Sequence, residues 1–483
     1  MRRNAMYFNK ILVADRSDAA CRVIRTCMGL RIQTVAIFTE QESNALHADM
    51  ANEAYAVTSY SNAQEVMQIA RQTGAEAIHP GYGWFSENPL FVRQCIDAGF
   101  VFIGPSPRVL LQMGNKIKAK NAAKRAGVPV LPGSESLAYE EEQAILIAAH
   151  KIGFPAIVKA AWGGGGRAME IAETEAELLA TVRSIRGMAE RFFSEPDLYL
   201  EKLVRGGRHI EIQVERDMHG TCFHSRERDC SVQRRRAKIV EEAPAPGLNK
   251  RLRRKLCSWA VKLVSKIGYV GVGTVEFLVS PEGKAYFIEM NPRLQVEHGV
   301  TEMREGIDLV EVQLAIAAGK KLSTQKKERY KHVMEVRIYT ETLRNGIFSP
   351  AIGKVIINKF PEPASFLRID SALRQGQEIE CTVKDEDAAL ICKLIVGASS
   401  REQAIERMIA ALRDLRIEGV TGREILLAIL HWDSFRKNIH ALDTLNNRSV
   451  TQEIERAAHR FTLEKGLYPS LGRIAGDVAH EVL

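Results

Sequence analysis

The 483 residues contain no internal repeat, no long linker and no Cys-x-x-Cys pair. The basic start, MRRNAMYFNKILVADRSD, holds only the apolar run Ile11 to Ala14, too short for a secretory core and far too short for a membrane span. Secretion and membrane insertion are therefore not expected, and the cytoplasm is. Eight cysteines lie scattered from Cys21 to Cys392, which reads as ordinary thiols in a reducing compartment and argues against disulfides or structural zinc. Basic residues are not interleaved with aromatics and no nucleic-acid-binding module is recognisable, so no nucleic-acid partner is expected. Neither G-x-G-x-x-G nor G-K-[ST] occurs, which excludes Rossmann and Walker phosphate loops.

What is present is an ordinary soluble composition, 46% hydrophobic and 26% charged, on a chain long enough for two or three buried cores. The net charge of +8, with runs RRRAK (234–238) and KRLRRK (250–255), suits either a solvated face or anionic ligands and an acidic partner.

Hydrophobic periodicity divides the chain. KILVA (10–14), helical spacing at Ala20, Val23, Ile24, Cys27 and Leu30, then TVAIF (34–38) form a strand, helix, strand unit of a parallel sheet, extended by AEAIHPG (75–81) and FVFIG (100–104). A helix from Pro107 to Ala126 is expected to stop at Gly127-Val128-Pro129. Residues 131–204 read as a small unit with a glycine loop between two strands. The pattern then becomes antiparallel: HIEIQVE, a turn at DMHG, TCFHSRE, GTVEFLVS, a turn at PEGK, AYFIEMN. The expected class is α/β and α+β multidomain: a parallel-sheet domain at 1–114, a second domain at 115–330 with a lid at about 131–204, a third at 331–446, and a charged helical tail at 447–483.

Three constellations carry chemistry. Gly163, Gly164, Gly165 and Gly166 give a backbone bare enough to drape NH donors over phosphates, with Lys159 four residues upstream as a fixed charge; a flexible turn would look the same. If Glu282-Gly283 is a two-residue turn, Glu276 and Glu289 become cross-strand neighbours with Cβ atoms roughly 5 Å apart. With Asn291 they offer hard oxygen ligands to a magnesium ion, unless they are simply a solvated pair. In NPRLQVEH (291–298), an extended chain would point Arg293, Gln295 and Glu297 the same way, a set able to hold a planar anion and take its proton, or merely a polar strand face.

These segments, with IHPGYGWFSEN (78–88), ERDCSVQRR (227–235), EEAPAPG (241–247) and FIEMNPRLQVEH (287–298), resemble biotin carboxylase, an ATP-grasp enzyme, over about residues 8–440. The resemblance implies an N-terminal sheet domain, an ATP-grasp domain with a glycine-tipped lid, and a C-terminal domain. It implies a ligase that phosphorylates bicarbonate with MgATP to carboxyphosphate and carboxylates N1 of biotin. By position, Lys116, Lys159, Gly163 to Gly166, His209 and Gln233 would hold ATP, with Glu201, Lys202 and Val204 along the adenine hinge and Leu278 beneath it. Glu276, Glu289 and Asn291 would take two magnesium ions, a role manganese can fill. Lys238, Arg293, Gln295 and the Val296 backbone would hold bicarbonate, Glu297 would deprotonate it, and Arg337 would steady the biotin enolate.

The chain departs from the family at several points. Trp162 and Ala168 stand where glycine is usual, implying stiffer lid hinges around an intact NH cradle. Arg236 and Ala237 replace histidine and glutamine, the usual N-R-G-E-I is Asp15-Arg16-Ser17-Asp18-Ala19, and the P-P-Y-Y-D-S stretch is TVKDEDAAL (382–390). That last segment falls where the family makes dimer contacts, so the resemblance implies catalysis more firmly than a homodimer. With no A-M-K-M-like biotin site and no room for a carboxyltransferase domain, a separate biotinylated carrier and a separate transferase subunit are expected. The rival reading is a nucleotide-binding scaffold that does not turn over; a ligase for another carboxylate fits Lys238, Arg293 and Gln295 less well.

Overall fold

The strand and helix alternation of the first hundred residues closes into a five-stranded parallel sheet in a computed structural model describing residues 7–163, 168–193, 196–234, 237–323, 327–381 and 390–464. Its order is Glu53–Ala56, Gln33–Phe38, Lys10–Val13, Ala77–His79, Val101–Phe102. Both faces are covered. Leu12, Val35 and Ile78 pack into one apolar layer, and Ile11, Val13 and Ala36 into another with Ala20, Val23, Ile24 and Cys27 of the helix Ser17–Gly29. The chain changes direction across the sheet between Lys10–Val13 and Ala77–His79, so the loops after these two strands meet at one crevice. Those loops carry Asp15 and Arg16, with Asp18 at the start of the following helix, and Gly81 to Glu87.

The single helix expected over 107–126 is two, Pro107–Gly114 and Lys116–Arg125. Asn115 breaks it: its side chain accepts from the Lys118 backbone NH at 2.9 Å as an N-cap, and its backbone bridges to Trp162. The lid sheet is antiparallel, ordered Met169–Ala172, Ala156–Ala160, Leu198–Lys202, and its apolar face packs on the helices Glu142–Ile152 and Glu175–Phe193 through Ile145, Val158, Leu178, Val182 and Leu200.

The largest sheet runs through the boundary expected at 330. Ala285–Asn291, Gly271–Val279, Arg208–Arg216, Arg228–Arg234 and Ala237–Ala243 continue directly into His332–Tyr339, Leu390–Ala398 and Leu367–Ser371. The third region is thus hydrogen-bonded to the second. The charged helix Arg448–Glu464 is also attached, through buried Ile454 and Ala458 and through Glu455, which accepts from the backbone NH groups of Asn345 (3.0 Å) and Gly346 (2.7 Å). Among the described residues no helix is long and apolar enough to cross a membrane.

Two positions where the resemblance implies glycine keep a glycine-like backbone: Ser17 has φ 55° and Ala168 φ 53°. An L side chain in that region costs about 1–2 kcal/mol, partly offset by the smaller unfolded-state entropy of a non-glycine residue. Ala168→Gly should therefore stabilise the protein by about 0.5–1 kcal/mol, seen as a higher urea midpoint at unchanged slope. An unchanged or lower midpoint would contradict the strain.

Candidate active site

The alternation in HIEIQVE places Ile210, Ile212 and Val214 on one face of the strand Arg208–Arg216, where they pack against Leu256, Ala260 and Leu263 of the helix Lys250–Ile267. The other face carries His209, Glu211, Gln213 and Glu215, and it is buried as well: Glu211 and Gln213 are 0% exposed. Polar groups are placed at that depth only with partners. The neighbouring strand Gly271–Val279 stands in register with Leu278 opposite His209, Glu276 opposite Glu211 and Thr274 opposite Gln213, and Thr274 donates to Gln213 at 3.4 Å.

Glu276 also stands opposite Glu289, as the sequence predicts, but not by the expected turn. The hairpin closes with three residues, Pro281 to Gly283, held by the Ser280 NH to Lys284 carbonyl bond of 2.7 Å, with Gly283 at φ +74°. That shifts the register by one, and a bulge at Ile288 restores it, since Phe277 pairs with Phe287 while Glu276 pairs with Glu289. The result is a row of three carboxylates across three strands: Glu211, Glu276, Glu289.

Lys238 neutralises the first part of this row. Its Nζ donates to Glu211 at 2.7 Å, to Glu297 at 2.5 Å and to Glu276 at 3.3 Å. Burial opposes its charge, but Glu211, Glu276 and Glu297 outweigh burial and hold its pKa well above the ordinary value. Glu276 further accepts from Asn291 Nδ2 (2.8 Å) and Gln295 Nε2 (2.9 Å), and it lies in ion-pair contact with His209 Nε2 at 2.9 Å. For His209 too, burial works against the cation, yet Glu276 prevails and its pKa is raised. Gln233 Nε2 lies 2.9 Å from the other His209 ring nitrogen. Between Glu276 and Glu289 the situation differs: the Lys116 ammonium comes no closer to Glu289 than 3.8 Å. Two carboxylates and the Asn291 amide there are the oxygen donors a magnesium ion takes. The tighter acidic groupings, His209, Glu211 and Glu276, and Glu211, Cys230 and Glu297, already hold Lys238.

The segment NPRLQVEH is not extended. It turns from the end of the strand Ala285–Asn291 into the helix His298–Glu305, so its alternate side chains do not share a face. Gln295 still enters the cluster, accepting from Arg228 Nη2 at 3.0 Å while donating to Glu276. Glu297 enters as well: it is gripped by Lys238 and, at 2.7 Å, by Arg337 Nη2. Burial alone would raise its pKa, but Lys238, Arg337 and Arg228 bring it well below the usual carboxylate range. Arg293 instead reaches across to the parallel-sheet domain, donating to Glu87 at 2.6 Å, and touches the cluster only through Asn291 at 3.3 Å. Arg337 also contacts Glu241, at 2.5 Å.

On the lid side, Lys159 and Lys120 share the buried Glu201 carboxylate, Lys120 at 2.8 Å, and Lys120 lies 4.9 Å from the Tyr199 ring centroid. Burial would raise the Glu201 pKa, but the two lysines lower it. Lys116 donates to the Gly163 carbonyl. Lys202 points its ammonium at the carbonyls of Gly153 (3.2 Å) and Phe154 (2.9 Å), and Val204 follows half-buried. Leu278 is buried beside Gly207, whose missing side chain would collide with it at 2.7 Å. Trp162 is docked: the Lys118 ammonium lies 5.6 Å from its ring centroid, and a Cβ added at Gly114 would meet the ring edge at 3.7 Å. Gly164, Gly165, Gly166 and Arg236 lie outside the described residues, as does most of TVKDEDAAL; Ala237 begins the strand Ala237–Ala243.

Sequence reasoning missed Glu211, Arg228, Lys120 and Glu87. Arg228, 0% exposed, donates to Glu211, to Gln213 (2.9 Å), to Thr301 (2.8 Å) and to Gln295, and so braces the whole floor. The signal for Glu211 was its place between His209 and Gln213 on a polar face opposite Glu276.

Residues 7–110 match the biotin carboxylase N-terminal domain, residues 115–325 the carbamoyl-phosphate synthase L chain ATP-binding domain, and residues 335–447 the biotin carboxylase C-terminal domain. A biotin carboxylase of Halalkalibacterium halodurans is 43% identical over 421 residues, covering 86% of this chain and 91% of that one. The 2-oxoglutarate carboxylase small subunit of Hydrogenobacter thermophilus is 44% identical over 463 residues, 94% of each chain. The solved biotin carboxylase domain dimer of that Hydrogenobacter enzyme, in complex with MgADP, ADP and bicarbonate, superimposes with a TM-score of 0.87 at 42% identity, covering 92% of this chain and 98% of that one.

Proposed function

The chain belongs to the biotin carboxylase family, and from that premise we propose that it carboxylates biotin on a separate carrier protein with MgATP and bicarbonate, the first half-reaction of a biotin-dependent carboxylase. The observation that carries this reading is the buried Glu297 carboxylate held between two cations, Lys238 and Arg337, beside the paired Glu276 and Glu289.

Each group then has a task. Lys159, Lys116, His209 and Gln233 bind nucleotide with the lid glycines, while the Glu201, Lys202 and Val204 backbone and Leu278 receive the base. Glu276, Glu289 and Asn291 hold magnesium, which supplies charge neutralisation for the phosphates when bound. Lys238, Arg293, Gln295 and the Val296 NH hold bicarbonate. Glu297 is a poor base while Lys238 and Arg337 both grip it. A bicarbonate ion that shares Lys238 weakens that grip and raises the proton affinity of Glu297 in the step that needs it. The deprotonated anion attacks the terminal phosphorus as its bond to the ADP oxygen breaks, giving carboxyphosphate and ADP; the carboxyl group then passes to biotin N1 as phosphate leaves and takes the N1 proton, while Arg337 faces the ureido oxygen on which negative charge grows. The carrier and the transferase are separate subunits in this proposal, and two copies of the chain pair as in the Hydrogenobacter domain dimer.

Phosphate release measured with and without bicarbonate and biotin tests the reading: cleavage of ATP should require bicarbonate. Glu289→Gln should lose MgATP turnover on the order of a hundredfold or more, because one carboxylate cannot hold the cation against water and phosphate charge. Since Glu289 is half-buried at the sheet's end, the fold should persist. Equal magnesium dependence in variant and parent would remove Glu289 from the site.

A further inference from the structure

The turn that presents Glu297 is held from both sides through its backbone. The Gln295 carbonyl accepts from His298 Nδ1 at 2.7 Å and from the His298 NH at 3.2 Å. The next carbonyl, that of Val296, accepts from Lys393 Nζ at 2.8 Å. A peptide unit is planar and trans, so fixing one carbonyl fixes the NH on the other side of the same bond. The His298 bonds thereby aim the Val296 NH, and the Lys393 bond aims the Glu297 NH and the start of the residue that bears the carboxylate.

Lys393 is an unusual donor for that task. It is 1% exposed, and a buried ammonium is costly unless it is paired. Carboxylates are present, Asp18 Oδ2 at 3.3 Å and Asp370 Oδ2 at 3.8 Å, yet its closest partner is the neutral Val296 carbonyl. Asp370 is itself engaged by Arg368 at 2.6 Å, and Asp18, in the parallel-sheet domain, accepts from the Tyr82 hydroxyl of the same domain. Lys393 therefore gathers parts of all three regions onto one carbonyl. It also stands directly opposite Arg337 in the pairing of His332–Tyr339 with Leu390–Ala398. Arg337 grips the Glu297 side chain and Lys393 the backbone just before it, so one strand pair of the third region fixes the base from two directions.

We infer that Lys393 is a positioning residue for bicarbonate: acting through the Val296 carbonyl, it sets the backbone donor and the base that the anion meets. This rests on the function proposed above. A residue that only stapled the three regions together would weaken stability and nucleotide binding alike. A positioning residue changes the response to one substrate.

The test follows ATP cleavage by the full chain, varying bicarbonate and ATP separately. Lys393→Met should raise the bicarbonate KM on the order of tenfold, while the ATP KM stays within about twofold. Lys393→Arg keeps the charge but cannot place a single donor in the same spot, so it should raise the bicarbonate KM by a smaller factor; it carries the test if Lys393→Met does not fold. Asp18→Asn, which removes an ion pair but leaves the Val296 bond, should lower the melting temperature with the bicarbonate KM within about twofold of the parent. An unchanged bicarbonate KM in the Lys393 variants, joint movement of both KM values, or an Asp18→Asn effect equal to that of Lys393→Met would each overturn the inference. A parent that cleaves ATP without any bicarbonate dependence would instead overturn the proposed function.

Discussion

Glu297→Ala should abolish bicarbonate-dependent ATP cleavage, a loss on the order of a hundredfold to ten-thousandfold, which is what a positioned general base contributes. The protein should still fold and bind nucleotide. Lys238 keeps Glu211 and Glu276 after the change, and Arg337 keeps Glu241, so neither buried cation is stranded. The nucleotide groups Lys159, His209 and Gln233 have no bond to Glu297. Nucleotide affinity should accordingly stay near that of the parent while phosphate release disappears; retained bicarbonate-dependent cleavage would remove Glu297 from the base role.

Arg337→Ala should separate the two halves of the reaction. Removing a donor aimed at charge that develops in the transition state typically costs on the order of a hundredfold to a thousandfold, and that loss should fall on carboxybiotin formation. ATP cleavage should fall less, because Glu297 still has Lys238. It should also acquire a different pH dependence. Arg337 is one of the cations that bring the Glu297 pKa down, so deleting it raises that pKa. The base then stays protonated to a higher pH, and the acid limb of the cleavage profile should move upward. Arg337→Lys, which restores the charge without the fork, should recover cleavage more than carboxylation. Carboxybiotin formation equal to the parent's in Arg337→Ala would end the enolate role.

How much of this was legible in the sequence depended on whether an element is set locally or by its neighbours. The parallel sheet was readable because Leu12 and Val35 lie in apolar runs, Ile11 to Ala14 and Val35 to Phe38, that only a sheet covered on both faces can bury. The pairing of Glu276 with Glu289 was reached from a two-residue turn, yet the structure arrives there by a three-residue turn and a bulge, two shifts that cancel. The three-residue turn puts Gly283 at φ +74°, and neither that turn length nor the bulge is encoded by alternation alone. The common face expected for Arg293, Gln295 and Glu297 failed because strand periodicity was extended past Asn291, where the chain turns toward the helix His298–Glu305 and Arg293 donates to Glu87, 206 positions earlier in sequence. At Trp162, read as a stiffened hinge, the bridge to the break at Asn115 is a tertiary contact that sequence periodicity does not show. Glu211 and Arg228 went unnoticed because a polar face on an amphipathic strand ordinarily faces water. Here it faces the site.

The most direct test of the account is transfer of labelled carboxyl from bicarbonate to biotin by the parent chain in the presence of MgATP, with phosphate release followed in the same reaction. Acid-labile carboxybiotin should form, should require ATP, magnesium and bicarbonate together, and should accompany phosphate release. Nucleotide binding with no bicarbonate-dependent phosphate release and no carboxybiotin, even with a biotinylated carrier supplied, would contradict it and leave a scaffold in its place.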